Sequence, residues 1–68
     1  MFEFFEEERH RCEVRQVLRW RAYDRDKAIH YLSLVRQRRG DTAADKLQMD
    51  CKEQWTKGNR GTEGEWRD

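Results

Sequence analysis

Apolar residues recur along this chain at the spacing of helices. Between about Glu6 and Arg21 no breaker intervenes, and Val14, Val17, Leu18 and Arg21 fall at i, i+3, i+4 and i+7 on one face. Asp24 is placed to cap a second helix, in which Ala28, Leu32 and Val35 form a stripe flanked by Ile29 and Tyr31. Arg36, Arg38 and Arg39 suit the negative end of that helix's dipole, and Gly40 supplies a stop. Asp41 or Thr42 is expected to cap a third helix, whose Ala43, Ala44, Leu47, Cys51, Gln54 and Trp55 fall within about 120° of arc. The spacing thus predicts helices over about residues 6–21, 25–39 and 42–57, with an irregular glycine-rich tail at 58–68.

Links this short turn consecutive helices back on one another, giving an all-α three-helix bundle or helix-turn-helix arrangement in one small domain. The expected core is Val17, Leu18, Leu32, Val35, Leu47, Cys51 and Trp55. Composition narrows the margin: 68 residues bury only about 60% of their unfolded surface. The chain is 43% charged and 35% hydrophobic, so the apolar stripes must be used well. Proline is absent, which favours uninterrupted helices.

The net charge of +1 hides strong segmentation. Residues 1–8 carry four acids and no base, residues 9–39 ten bases against three acids, and residues 40–68 five bases against seven acids. No apolar run approaches the roughly 18–20 residues needed to span a bilayer, and "MFEFFEEE" is acidic where a signal peptide would be basic, so a cytoplasmic protein is expected, with no membrane contact. In a reducing compartment Cys12 and Cys51 are expected to be free thiols.

Candidate chemistry is sparse. Gly58, Asn59 and Gly61 follow a helix, whereas phosphate-cradling loops precede one, so "KGN" reads as a helix terminator. Trp66 is expected to fold back over the end of the core near Trp55, although "TEGEWRD" could also clasp a partner. His10, Cys12, His30 and Cys51 are zinc-ligand types, but they are spread over three helices, and no metal or other cofactor is expected. Ser33 has no motif around it, and the acids Glu6, Glu7 and Glu8 read as a solvated helix start. Catalysis is not expected.

Two binding readings remain. Arg11, Arg15 and Arg19 repeat at i+4 along the first helix, a row that could meet nucleic-acid phosphates, but the third helix is mixed in charge and unsuited to a DNA groove. The other reading starts from a surplus. Phe5, Cys12, Trp20 and Tyr23 point roughly opposite to the first helix's core stripe, and Leu34 and Met49 lie off theirs. Trp, Tyr and Arg are enriched at binding hot spots and are interleaved in "RWRAYDR". The expected contact residues are therefore Arg11, Arg15, Arg19, Trp20 and Tyr23, serving a homodimer or another protein; the plainer alternative is that Trp20 and Tyr23 cap the bundle end.

The stretches "RHRCEVRQVLRW", "RRGDTAADKLQMD" and "EQWTKGNRGTEGEWR" together resemble a group of small uncharacterised proteins carried by tailed bacteriophages and prophages. The resemblance covers most of the chain and brings no catalytic motif. It implies a small protein that docks on a host protein in the host cytoplasm, in some cases as an inhibitor, with nucleic acid as the other class of partner.

Overall fold

A computed structural model describes the backbone of residues 2–68 and the side chains of residues 6–68. Three helices follow in order, α1 (Phe2–Tyr23), α2 (Arg25–Arg39) and α3 (Asp41–Thr56), and each packs on the other two. No strand occurs among the described residues. The protein is an all-α three-helix bundle. None of these helices is long and apolar enough to cross a membrane.

Local chemistry sets the corners. The Asp24 side chain accepts from the Lys27 backbone N–H at 3.4 Å, so the α1–α2 turn is capped as its sequence suggests. At the second corner Gly40 serves both helices. It ends α2, its N–H donating to the Arg36 carbonyl, and with φ 93° and ψ 172° it occupies backbone space open essentially only to glycine. The same residue is the N-cap of α3, which has no side-chain cap; Asp41 is already helical, so neither Asp41 nor Thr42 caps as expected.

The buried core consists of Val14, Val17, Leu18, Ala28, Val35, Ala44, Leu47 and Cys51. Leu32 and Trp55, expected within it, are only partly buried and lie against it with Trp20, Tyr31 and Trp66. Ion pairs brace the helices outside this core. Glu13 on α1 accepts from both terminal nitrogens of Arg39 on α2, at 2.9 and 2.6 Å, and from the Tyr31 hydroxyl. His10 on α1 meets Asp50 on α3 at 2.6 Å.

The tail does more than end the helix. Asn59 is completely buried, donating to Gln54 Oε1 at 3.0 Å and to the Glu65 carbonyl at 3.3 Å, while its own Oδ1 accepts from the Gly61 N–H at 2.8 Å. Gln54 in turn holds Arg67 twice, donating to its carbonyl at 2.6 Å and accepting from its N–H at 2.9 Å. Gly61 presses onto α1, where an added Cβ would lie 2.3 Å from the Arg15 carbonyl oxygen and 2.7 Å from the Arg19 nitrogen. Residues 59–68 are thus clasped to α1 and α3. Trp66 does fold back on the core, but its ring lies by Arg11, while the side chains over Trp55 are Arg21 and Arg60.

Candidate docking site

The five residues expected at a contact surface lie in unlike surroundings. Arg15 is only 5% exposed; it donates to the Glu65 carbonyl at 3.1 Å and to Glu8 at 3.0 Å, and so holds the tail against α1. A guanidinium has five N–H donors in a fixed fork, which is why an arginine can be buried here by a carboxylate on one side and a carbonyl on the other. Arg11 is paired with Glu7 at 2.8 Å and lies 5.0 Å from the centre of the Trp66 ring. Arg19 is exposed and donates to Gln16. Of the i+4 row, therefore, only Arg19 is open to solvent without a carboxylate partner among the described residues.

The aromatic pair divides in the same way. Trp20 packs on Tyr31 of α2, ring centres 5.2 Å apart and tilted by 53°, and is partly buried against the core. It closes the bundle. Tyr23 is 87% exposed at the end of α1 and remains available. Cys12 and Met49 are exposed, Leu34 is half-buried, and Phe5 lies outside the residues whose side chains are described.

A different surface emerges where the end of α1, the start of α2 and the end of α3 meet. A cleft of about 280 Å³ opens there, with Val17, Ala28, Leu32 and Cys51 beneath and Ile29, itself 58% exposed, at the side. Arg21, Arg25 and Lys52 stand around it. Arg21 is held by its position 4.3 Å from the centre of the Trp55 ring, a contact that fixes a cation without neutralising it. Neither Arg25 nor Lys52 pairs with a carboxylate among the described residues. The Cys51 thiol beneath the cleft is pushed up to about 12, first by burial and then by the negative charges of Asp50 and Glu13, so it is a neutral apolar lining atom at ordinary pH.

The sequence carried a signal for this site. Arg21 occupies the core stripe of α1 with Val14, Val17 and Leu18, and a charge on that stripe marks where the core opens to water. Ile29 beside the α2 stripe marks the same place.

The remaining clefts offer less. One of about 360 Å³, lined by Glu6, Arg9, His10, Glu13 and Arg39, is polar, and its central carboxylate is committed to its neighbours. Burial raises the Glu13 pKa, but hydrogen bonds from Arg39 and Tyr31 outweigh it and hold the carboxyl below its ordinary value. Burial and the same carboxylate push the Tyr31 hydroxyl up. Among the described residues no three His, Cys, Asp or Glu side chains converge as a metal site, and Cys12 and Cys51 are both free.

Fold and surface together define a small three-helix protein with a clasped tail and a basic-edged cleft. Residues 5–58, most of the chain, match one family profile, and the protein belongs to that family, DUF7696, a family of unknown function. The matched region ends just after α3, so it includes every residue lining the cleft and omits nearly all of the tail. Nothing in the match refers to phages. No curated protein and no solved structure matches the chain.

Proposed function

We propose that this protein is a protein-docking module whose contact surface is the basic-edged cleft at the α1–α2 turn. One observation carries the reading: exposed Ile29 and half-buried Leu32 present apolar surface above the buried Val17, Ala28 and Cys51, within reach of Arg21, Arg25 and Lys52. An apolar anchor flanked by carboxylates fits that arrangement. Read with the resemblance to small phage proteins, the partner is a host protein that presents such a segment, and binding would block whatever that segment does. A second copy of the chain is an equally suitable partner class.

Binding of nucleic acid by the first helix's arginines is the weaker reading, because Arg11 and Arg15 are engaged within the protein. Capture from bacterial lysate by immobilised wild type, Ile29→Glu and Arg25→Glu tests the proposal, with circular dichroism confirming that both variants fold. A protein retained by wild type and reduced at least about tenfold in both variants supports it. Equal retention by all three overturns it, as does tight binding of a generic duplex that weakens steeply with salt.

A further inference from the structure

We infer that the cleft takes the N-terminal segment, residues 1–8, of a second copy of the chain. The inference rests on the docking reading above and names its occupant. The segment's chemistry is the counterpart of the cleft's: all three phenylalanines of the protein lie within it, with four glutamates and no base, Glu7 and Glu8 of these being paired with Arg11 and Arg15. The cleft opposes these with an apolar floor and three cations, Arg21, Arg25 and Lys52. No other stretch of the chain combines aromatic residues with an unbroken negative sign, since "TEGEWRD" contains Arg67 and is already clasped by Gln54.

The fold requires the contact to be made between molecules. Glu6 and Arg21 belong to one continuous helix, and the fifteen residues from one to the other span about 22 Å at 1.5 Å per residue. An N-terminal segment therefore lies far from its own cleft and can reach only another's. Made reciprocally across a two-fold axis, the contact occurs twice and closes the assembly as a dimer.

Charge gives the contact its orientation, since like-charge alignments of two copies would set Glu against Glu or Arg against Lys.

Sedimentation velocity across a concentration series, with charge exchange, tests this contact. Wild type is expected to dimerise in the micromolar range. Arg25→Glu/Lys52→Glu makes the cleft acidic, and Glu3→Lys/Glu6→Lys makes residues 1–6 basic, Glu7 and Glu8 being paired with Arg11 and Arg15. Each double variant alone places like charges at both junctions and should weaken dimerisation at least tenfold. Mixed in equal amounts they place opposite charges at both junctions, and the mixed pair should return to within about threefold of wild type. That rescue cannot come from a folding defect in either variant.

Wild type that stays monomeric at several hundred micromolar overturns the inference, as does a dimer indifferent to both exchanges or a mixture that fails to recover. Any of these outcomes leaves the docking reading standing if Ile29→Glu still abolishes capture from lysate; loss of that discrimination removes the docking reading by itself.

Discussion

Gly61→Ala tests whether the tail is part of the fold. At φ 91° the new side chain costs about 1 kcal/mol in backbone conformation alone. The larger effect is steric, because the added carbon would sit 2.3 Å from the Arg15 carbonyl oxygen and 2.7 Å from the Arg19 nitrogen, both backbone atoms of α1 that no rotamer change can move. The tail must lift off. The loss is then limited to what docking contributes: the hydrogen bonds from Arg15 to Glu65, from Asn59 to Gln54 and between Gln54 and Arg67, with the partial cover of Trp66.

At about 1 kcal/mol net for each hydrogen bond, offset by the ordering of the segment, the total comes to about 2–4 kcal/mol. For a domain of this size that lowers Tm by roughly 10–25 °C. Gly64→Ala is the control. It has a similarly positive φ of 78° but nothing within 4 Å of the added carbon, so it should lose only about 1 kcal/mol. Thermal melts of both variants, with amide exchange followed on the C-terminal peptide, separate strain from contact. If Gly61→Ala melts with Gly64→Ala and its tail amides stay protected, the close approach to α1 is wrong.

Other outcomes follow from the same geometry. Arg15→Lys keeps the charge but cannot serve Glu8 and the Glu65 carbonyl together, and is expected to cost about 1–3 kcal/mol by denaturant titration. Because the Glu13 carboxyl titrates below its ordinary value when folded, its contribution is intact above about pH 4.5 and is lost as pH falls through the folded value; Glu13→Gln should therefore lower stability at pH 7 and flatten this acid limb in melts taken from pH 7 down to 2. Thiol labelling at pH 8 should be biphasic, with exposed Cys12 reacting fast and Cys51 only as the protein opens; Cys12→Ser should remove the fast phase alone.

How far the sequence could be read depended on the distance over which each signal acts. Asp24, Gly40 and Gly58 mark their corners because capping and positive φ are settled within a few residues, and the helix stripes identified the core for the same reason. Arg15 defeated that kind of reading. Its place in the i+4 row points outward until residue 65 returns to cover it, and nothing near residue 15 announces that return. Asn59 was legible as a stop but not as a buried hub, since its partners Gln54 and Glu65 are brought together only by the reversal of the tail. The cleft was half legible: Arg21 on an apolar stripe was visible, but Lys52, on another helix, needed the assembled bundle.

The bond between Arg15 and Glu65 joins points fifty residues apart in a protein whose other contacts are mostly between successive helices. Closing so long a loop is entropically slow, so the three helices can find one another before the tail seats itself. A late-forming latch of this kind has little influence on how quickly the chain folds and a large one on how rarely it opens. The last ten residues, all outside the family's shared region, thereby set the lifetime of a native state that the first 58 establish.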